Sequence, residues 1–469
     1  MQWEKIGKIF TPQDFKLPNN CKDFAQSPQV LAFDSFNRVF FSTREIDKTG
    51  KFLSHIAFVE FDKNFKNVLD VSKDRVISLG ELGTFDEHGI FPLNILNNSD
   101  KVLGFIGGWS RRVSVSVETS IGLAISYNKG KTFERYGNGP VLSSSLNEPF
   151  LVGDPFVQKY NDLYHMWYIY GLRWINDTSE REPQRVYKIG HAYSLDAINW
   201  TKSNRQLIPD KLDENECQAL PTVGFWDRKY HMFFCYRRAI GFRNDANSGY
   251  RIGYACSSDL KNWSRDDSIV GINISQDEND WDSEMQCYPH VFIQNEDVYL
   301  LYNGNKFGKF GFGLAKLIRK KKFIIEYSID RADCIAINKH LLTCSNSFIP
   351  ALSNTVNVEE YSKKIRKNAV TFEAWDSNQL VGLIAVYFND FIDKIGYVTN
   401  VSILQNYKGN KISNGLLVQC IDYAKNNGFE ILRLEVHKNN NIAINLYKKF
   451  GFVVTSNIED HIKMELLIK

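Results

Sequence analysis

A proline-containing apolar segment recurs five times in the first two thirds of the chain, and this repeat limits the possible folds more than any other feature. The prolines are Pro28, Pro92, Pro155, Pro221 and Pro289. They recur about every 65 residues, and a fixed period of this size is typical of repeat architectures. A second apolar segment follows each of them after a polar turn. Three units also contain Ile-Gly-x-Ala-x-Ser followed by an aromatic residue, which indicates an outer hairpin.

Each unit therefore holds enough apolar segments for about four short strands, which predicts an all-β five-bladed propeller over residues 1–318. Proline in a strand normally marks an edge or a strand start. The innermost strand of a propeller, which begins at the central funnel, offers such a position. A large β-sandwich with coincidental periodicity is the alternative fold.

Composition narrows the functional classes. The 469 residues exceed one ordinary core, so two domains are expected. The net charge of +3 gives no strong field for nucleic acid or an anionic membrane. The start lacks the apolar run of a signal peptide, and no stretch is long enough to span a bilayer. Eight scattered cysteines without a CxxC pair favour reduced thiols in the cytoplasm and argue against a metal site.

The repeat register predicts a polar funnel. If each proline strand starts at the funnel and the next strand returns, residues before the prolines and after the second strands share one face. The acidic candidates are Asp86, Glu87, Asp154, Glu216 and Glu284. The basic candidates are Arg44, Arg111, Arg173 and Arg237. Guanidinium groups match planar oxyanions, so the arginines favour a substrate that carries phosphate or carboxylate. We expect Glu87, Glu284 and the arginines to bind the substrate.

The order of three of these carboxylates resembles the five-bladed glycosidase superfamily of arabinanases, xylosidases and invertases. The resemblance implies that Asp86, Asp154 and Glu216 are catalytic, as base or nucleophile, supporting Asp and general acid. Glycoside hydrolysis needs carboxylates with separated pKa values on both sides of the glycosidic bond. The sequence departs from this superfamily at Gly153, where an arginine is usual. An active glycosidase or glycosyl-transferring site, a sugar-binding site and a purely structural ring of salt bridges all remain open.

The pattern changes after the basic run at residues 319–322, which we interpret as a solvated connector. Helical and strand periodicity then alternate, which indicates an α/β domain over residues 323–469. The predicted elements are a strand at 323–328, an interrupted helix at 337–352, a helix at 358–367, strands at 370–375, 380–388 and 397–404, a helix at 412–426, a strand at 431–437 and a helix at 442–450.

The last part of this domain carries a motif of wide but fixed spacing. It consists of Asn440, Ala443, Leu446, Tyr447, Gly451 and Phe452. This motif and the element order resemble the GNAT superfamily of acyl-CoA N-acetyltransferases. The resemblance implies acetyl-CoA as co-substrate, with Asn440 on the pantetheine arm and Tyr447 protonating the leaving thiolate. A phenol within hydrogen-bond reach can act in this way. The alternative is that Tyr447 is only a core residue of an amphipathic helix.

The same resemblance implies further cofactor contacts. The loop at 405–411 opens a helix, and helix N-terminal amides attract a pyrophosphate. The expected pyrophosphate residues are Lys408, Gly409, Asn410, Lys411, Ile412 and Ser413. Lys411 and Ser413 stand where the superfamily usually has small glycines. We expect the strand around Val401 and Ile403 to splay and to pair with the pantetheine amides.

The general base is open. Glu373, Asp390 and Glu435 are candidates, although each is also consistent with a solvated or structural carboxylate. The sequence predicts a cytoplasmic acetyl-CoA-dependent N-acetyltransferase that acts on an amino sugar, nucleotide- or lipid-phosphate-linked, in surface polysaccharide synthesis. One alternative is a glycoside hydrolase or glycan-transferring propeller enzyme with an accessory GNAT domain. The other is a non-catalytic glycan-binding scaffold. The sugar, the acyl chain length and the oligomeric state stay open.

Overall fold

A computed structural model describes residues 1–243, 245, 248–319 and 325–468. Two compact units divide the chain, at 1–319 and 320–469. The start of the strand predicted at 323–328 lies outside the described residues, whereas its later part forms a strand. No helix in the described parts of the chain is apolar over enough length to cross a membrane.

The described residues of the N-terminal unit form short strands that are almost all antiparallel. The first ten are β1 (Trp3–Phe10), β2 (Asp23–Ala32), β3 (Phe36–Ile46), β4 (Phe52–Asp62), β5 (Val68–Val71), β6 (Gly89–Asn98), β7 (Lys101–Arg111), β8 (Val117–Ser126), β9 (Glu134–Arg135) and β10 (Val152–Tyr160). The next ten are β11 (Leu163–Ile175), β12 (Gln184–Ser194), β13 (Thr201–Lys202), β14 (Cys217–Trp226), β15 (Lys229–Arg237), β16 (Arg251–Ser257), β17 (Ser264–Arg265), β18 (Cys287–Gln294), β19 (Asp297–Asn303) and β20 (Phe312–Leu317).

These strands pair in sets of four. β10–β13 and β14–β17 each form a sheet in chain order, and β18, β19 and β20 are completed by β1. The largest sheet contains two such sets, β2–β5 and β6–β9, which are joined through the single pair Ser54–Gly89. The first strand of the chain therefore closes the last set, with Trp3 opposite Leu317. The blade count of five stays a prediction.

The repeated prolines lie inside the first strand of each set rather than at its start, which corrects the predicted position. The pairing register shifts at each proline, and this irregularity accommodates a residue without an amide hydrogen. In four repeats the preceding residue has a left-handed backbone: Ser27 (φ 52°), Asp154 (φ 50°), Leu220 (φ 46°) and Tyr288 (φ 56°). In the remaining repeat the Phe91–Pro92 peptide bond is cis.

The Ile-Gly-x-Ala-x-Ser motif lies in the third strand of its set, and its two small residues have separate roles. A Cβ atom added to Gly122 would lie 2.4 Å from Cζ of Phe85, so the glycine makes room for an aromatic ring. The Ser126 hydroxyl accepts a hydrogen bond of 2.8 Å from the Gly130 amide and so orders the following turn. Ser194 and Ser257 order the equivalent turns.

The C-terminal unit is a mixed α/β structure. Its elements are β21 (Ile325–Ile329), α1 (Cys334–Cys344), α2 (Val358–Asn368), β22 (Val370–Asp376), β23 (Gln379–Asp390), β24 (Ile395–Ile403), α3 (Ile412–Asn426), β25 (Ile431–His437), α4 (Asn441–Lys449), β26 (Val453–Ile458) and β27 (His461–Leu467). They form one sheet of order β21-β22-β23-β24-β25-β27-β26, in which only β24 and β25 pair in parallel. α3 and α4 pack on one face of this sheet, and α1 and α2 pack on the other.

Most elements of this unit agree with the sequence-based expectation, and α3 and β25 have the predicted bounds. α1 begins at Cys334 rather than at residue 337, because the Asp333 side chain caps it by accepting a hydrogen bond from the Ala336 amide. The hairpin of β26 and β27 was not predicted. β26 is exposed along its whole length, so it carries no alternation of buried and exposed residues.

Candidate functional sites

A cavity of about 270 Å³ lies in the N-terminal unit, and we call it the funnel cavity. Its polar lining consists of Arg44, Ser54, Thr119, Asp154 and Arg185. Its aromatic lining consists of Phe52, Phe91, Trp109, Tyr187, Tyr250 and Tyr288. Phe91, Asp154 and Tyr288 each precede one of the repeated prolines. The irregular backbone at the prolines therefore supplies side chains from three separate sets of strands to one cavity.

Asp154 is the one carboxylate among the described lining residues of the funnel cavity. Its side chain is almost completely buried, and burial raises its pKa to about 7. A hydrogen bond of 3.3 Å from the Leu220 amide and the charge of Arg185 act in the opposite direction. The carboxyl group can therefore donate or accept a proton near neutral pH.

Two guanidinium groups share the cavity with this acid. Arg44 donates through Nε to Oε1 of Gln26 at 2.9 Å, and its guanidinium carbon lies 4.7 Å from the ring centroid of Phe24. The guanidinium of Arg185 makes no hydrogen bond or ion pair with any described residue and lies 6.0 Å from the ring centroid of Tyr187, and no described carboxylate forms an ion pair with Arg44. Sequence reasoning missed Arg185, because it lies in the third strand of its set and the register argument covered only the first two.

Of the three predicted catalytic carboxylates, the structure places Asp154 alone in the lining of the funnel cavity. Asp86 and Glu216 are fully buried and lie outside the lining of the funnel cavity. Oδ2 of Asp86 accepts a hydrogen bond of 2.9 Å from Nε of Arg135. Oε1 of Glu216 accepts one of 2.6 Å from Nη1 of Arg265. Both carboxylates thus form buried ion pairs, and of the three only Asp154 lines the funnel cavity.

Two further buried carboxylates form the same kind of pair. Glu148 binds Lys202 at 2.5 Å, and Asp282 binds Lys5 at 2.7 Å. We call the four pairs carboxylate clamps, because each ties the segment before a first strand to a fourth strand. A signal for them exists in the sequence. Each clamp cation follows an aromatic residue by two positions, in Trp3-x-Lys5, Phe133-x-Arg135, Trp200-x-Lys202 and Trp263-x-Arg265.

The other predicted funnel arginines also have partners. Arg111 pairs with Asp47 at 2.7 Å, and Arg173 donates to Oδ1 of Asn215 at 2.6 Å. Arg237 is buried behind the cavity wall, where its Nη2 donates to the Tyr187 hydroxyl at 2.8 Å. None of the three lines the funnel cavity.

The predicted funnel glutamates lie elsewhere as well. Glu87 accepts a hydrogen bond of 3.0 Å from the Gly83 amide, and Glu284 forms a half-exposed ion pair with Lys306 at 3.3 Å. Neither belongs to the cavity lining. Asp154 and Arg44 are therefore the two residues of the predicted funnel set that the structure places at the cavity.

In the C-terminal unit, the two parallel strands at the centre of the sheet separate. β24 and β25 pair from Ile395 opposite Ile431 to Val398 opposite Leu434, and the pairing then ends. β24 continues to Ile403 with hydrogen bonds to β23 alone. The backbone around Val401 and Ile403 thus has an open edge, as the splayed strand requires. Their side chains pack against the core, so only backbone groups are offered there.

The loop before α3 offers a second set of backbone groups. The amides of residues 409–413 donate to no acceptor among the described residues, and they gather at the N-terminus of a fifteen-residue helix. Gly409 and Lys411 have positive φ angles of 82° and 61°. Lys411 therefore adopts, with a side chain, the backbone conformation that favours glycine. Ile412 is buried, so its contribution to a ligand is limited to its amide.

The two motif residues of α4 have different environments. Asn440 caps the helix, since its Oδ1 accepts a hydrogen bond of 3.2 Å from the Ala443 amide. Its amide nitrogen remains available for a ligand. Tyr447 is buried, with its ring centroid 5.7 Å from that of Phe452. Its hydroxyl makes no hydrogen bond within the described residues, and burial raises its pKa, so the phenol keeps its proton at neutral pH.

The three candidate general bases lie in different environments. Glu373 is fully buried and accepts hydrogen bonds from the Ala332 amide and from three side chains, so it is a structural carboxylate. Asp390 ends β23 and accepts a hydrogen bond from the Asp393 amide in a turn. Glu435 is exposed and directly follows Leu434, the last residue of β25 that pairs with β24. Glu435 is thus the candidate at the strand opening.

A mycobacterial protein is similar in sequence to about two thirds of this chain. An uncharacterized protein of Mycobacterium tuberculosis (strain CDC 1551 / Oshkosh) is 32% identical over 318 residues, which are 68% of this chain and 99% of the relative. The chain belongs to the family of this mycobacterial protein. The match has about the length of the N-terminal unit. The chain described here is thus longer than this relative, because it also contains the C-terminal α/β unit.

Residues 340–452 match the family described as Acetyltransferase (GNAT) family. An uncharacterized N-acetyltransferase of Bacillus subtilis (strain 168), YobR, is 32% identical over 90 residues, which are 19% of this chain and 34% of the relative. The C-terminal unit is accordingly a GNAT domain, and GNAT enzymes are acyltransferases that use acetyl-CoA. The open edge of β24 and the free amides at residues 409–413 fit this co-substrate.

The fold of the N-terminal unit is also known from solved structures. A structure described as a glycoside hydrolase is 17% identical, covers 68% of this chain and 93% of its own, and has a TM-score of 0.51. At this identity the likeness concerns the fold. This member of the mycobacterial family thus joins a β-rich unit with the fold of propeller glycoside hydrolases to a GNAT domain.

Proposed function

We propose that this chain is an acetyl-CoA-dependent N-acetyltransferase whose acceptor is a nucleotide- or lipid-phosphate-linked amino sugar in surface polysaccharide synthesis. The observation that supports the proposal is Tyr447, a protonated phenol whose hydroxyl has no hydrogen-bond partner among the described residues, in a GNAT domain whose central strands separate. The eight cysteines are free thiols, which supports a reducing compartment such as the cytoplasm.

Each step of the reaction has a candidate group. Acetyl-CoA supplies the acetyl group as a thioester. The amides of residues 409–413 bind its pyrophosphate, and the open edge of β24 binds the pantetheine amides. Glu435 takes a proton from the acceptor ammonium, directly or through water, so that the neutral amine can attack the thioester carbonyl. Tyr447 then donates its proton to the departing sulfur, and the proton that the nitrogen loses as the amide forms returns the tyrosine to its phenol form.

The proposal that the acceptor is a sugar rests on the fold and the cavity of the N-terminal unit. Its fold is that of a protein described as a glycoside hydrolase, and its strand sets support five blades around the funnel cavity. The cavity combines aromatic walls with a few polar groups, which is typical of small-molecule sites. A unit that binds the glycan within the same chain as an acetylating domain would raise the local concentration of the acceptor.

A second candidate function is glycoside hydrolysis or transfer by the N-terminal unit. The observation in its favour is Asp154, an acid with a pKa near 7 in a cavity. Hydrolysis requires a pair of carboxylates at the scissile bond. Since Asp86 and Glu216 are occupied in carboxylate clamps, the geometry favours sugar binding over hydrolysis. Turnover of a glycan that is lost in Asp154→Asn would restore the hydrolytic alternative.

The proposal is tested by incubating the full-length protein with acetyl-CoA and a panel of UDP- and dTDP-linked amino sugars. We expect thiol release with at least one acceptor, and about 100-fold slower release by Tyr447→Phe. Tyr423→Phe, which removes a hydroxyl from α3, is the matched control and should keep the wild-type rate. A folded protein that releases no thiol with any acceptor would refute the proposal.

A further inference from the structure

We propose that the funnel cavity binds a sugar that carries an anionic group, a carboxylate or a phosphate monoester, and that Arg44 and Arg185 bind this anion. The inference rests on the proposed sugar-binding role of the N-terminal unit and names the class of its ligand. It concerns binding and does not require any chemistry in the cavity.

The arginines of this unit differ in their partners, and this difference carries the argument. Arg135 and Arg265 neutralise buried carboxylates, and Arg111 pairs with Asp47. Arg44 and Arg185 form no ion pair or hydrogen bond with a described carboxylate, although they share the cavity with Asp154. A half-buried guanidinium without a counter-ion is a ready site for an oxyanion, which its planar fork can bind with two hydrogen bonds.

The walls of the cavity are rigid and suit a small ligand. The hydroxyls of Tyr187 and Tyr250 lie 2.7 Å apart, and Arg237 supports Tyr187 from behind. The guanidinium carbon of Arg237 lies 3.5 Å from the ring centroid of Phe242, which fixes this second layer. The volume of about 270 Å³ is near the lower limit for sites of drug-sized ligands, so it suits one or two sugar rings.

The charge balance of the cavity favours an anion and depends on pH. With Asp154 protonated the two arginines leave a net charge of +2, whereas an ionised Asp154 reduces it to +1. The neighbouring groups do not titrate near neutral pH. Burial raises the pKa values of Tyr187, Tyr250, Tyr288 and Cys235, which therefore stay neutral. Since the pKa of Asp154 is about 7, anion binding should weaken as the pH rises through 7.

Isothermal titration calorimetry with the full-length protein tests the ligand class. The probes are glucuronate, glucose 1-phosphate, methyl glucoside and inorganic phosphate. We expect at least one anionic sugar to bind about 10-fold more tightly than methyl glucoside and inorganic phosphate, which each lack one half of the ligand. Preference for glucuronate would identify a carboxylate, and preference for glucose 1-phosphate would identify a phosphate. Equal affinity for the neutral sugar, or no binding of either anionic sugar, would overturn the proposal.

Variants then assign the contacts. Arg185→Ala and Arg44→Ala should each lower the affinity by about 10- to 100-fold, as expected for a lost hydrogen bond to a charged group. Arg238→Ala, which removes an exposed pair with Asp213, is the matched control and should bind normally. The Arg185 guanidinium forms no hydrogen bond or ion pair with a described residue, so its variant should fold even if Arg44→Ala does not. Unchanged affinity in Arg185→Ala would contradict the proposal.

The pH dependence supplies an independent readout. Glucuronate stays ionised between pH 6 and pH 8, so any change in its affinity comes from the protein. We expect roughly 10-fold weaker binding at pH 8, the effect of about one pKa unit, and no such change in Asp154→Asn. Stronger binding at pH 8 would contradict the assignment. Tyr447→Phe should bind the sugar normally, so a failure of acetyl transfer and a failure of this inference can be told apart.

Discussion

The two units of this chain build their candidate sites from different parts of the polypeptide. The funnel cavity is lined by side chains from several separate sets of strands. The proposed acetyl-CoA site consists mainly of backbone groups, namely the amides of residues 409–413, which have no acceptor among the described residues, and the open edge of β24. A backbone site follows from a local fold, whereas a side-chain site depends on which distant groups neutralise each other. This difference explains why the sequence predicted the GNAT domain well and the funnel cavity only in part.

Within the N-terminal unit, the three predicted catalytic acids differ in whether they pair with a cation. Asp86, Asp154 and Glu216 all precede the first-strand prolines, and all are buried. Asp86 and Glu216 meet a cation on the fourth strand of their set, and Asp154 does not. Asp86 and Glu216 therefore stabilise the fold through their ion pairs. Asp154 is buried as well but lines the funnel cavity, and its pKa is raised.

Removal of a clamp cation should have the largest effect. Arg265→Ala leaves Glu216 buried without its counter-ion, and such a loss typically costs about 3–5 kcal/mol. We expect this decrease in the free energy of unfolding of the N-terminal unit in chemical denaturation. Arg238→Ala removes an exposed pair and should cost less than about 1 kcal/mol. Similar losses in the two variants would show that the clamps are not structural.

The next largest effect concerns acetyl transfer. Tyr447→Phe keeps the buried ring and removes only the hydroxyl, so acetyl-CoA affinity should stay unchanged. The value of kcat should fall about 100-fold, or about 2.7 kcal/mol of barrier. Steady-state kinetics with the best acceptor from the panel, together with direct titration of acetyl-CoA, separates the two quantities. A wild-type kcat would mean that another group protonates the thiolate.

Asn440 can be tested for two roles at once. Asn440→Ala loses the helix cap and should cost about 1 kcal/mol of stability. Asn440→Asp keeps a capping oxygen but loses the side-chain amide, so it should retain stability. If the amide contacts the pantetheine arm, acetyl-CoA binding should weaken in both variants. Normal acetyl-CoA binding by Asn440→Asp would show that Asn440 serves only to cap the helix.

An effect on stability of similar size is expected at two glycines of the GNAT domain. Gly409 and Gly428 have φ angles of 82° and 76°, and a Cβ atom on either would meet no neighbour within 4 Å. Alanine at each should therefore cost about 1 kcal/mol of stability through backbone strain alone. Only Gly409→Ala should also weaken acetyl-CoA binding, because its methyl group approaches the pyrophosphate. Equal affinities in the two variants would remove the loop from the cofactor site.

The sequence predicted the GNAT domain well because its signals are contiguous. The bounds of α3 and β25 agree with the prediction, and the motif from Asn440 to Phe452 lies on one helix and its end. Helical periodicity and a fixed motif suffice there. The exposed strand β26 and the cap at Asp333 lack such a pattern, so they were missed or misplaced.

The funnel site could be predicted only in part. Repeat register placed Asp154 and Arg44 near the cavity, but it could not show that Arg135 and Arg265 neutralise the other two acids. Register fixes the height of a residue along its strand, while pairing depends on packing between distant segments. The pattern Trp3-x-Lys5, repeated before three later clamp cations, was the available signal for both the clamps and the closure by β1.

The proposed reaction of this chain is the transfer of an acetyl group from acetyl-CoA to the amine of a sugar. Nuclear magnetic resonance with acetyl-CoA labelled at the acetyl carbonyl carbon measures this transfer directly. We predict that the thioester signal is replaced by an amide signal on the amino sugar, and that the exchange is about 100-fold slower with Tyr447→Phe. A thioester signal that persists with every amino sugar, in a protein that binds acetyl-CoA, would contradict the claim.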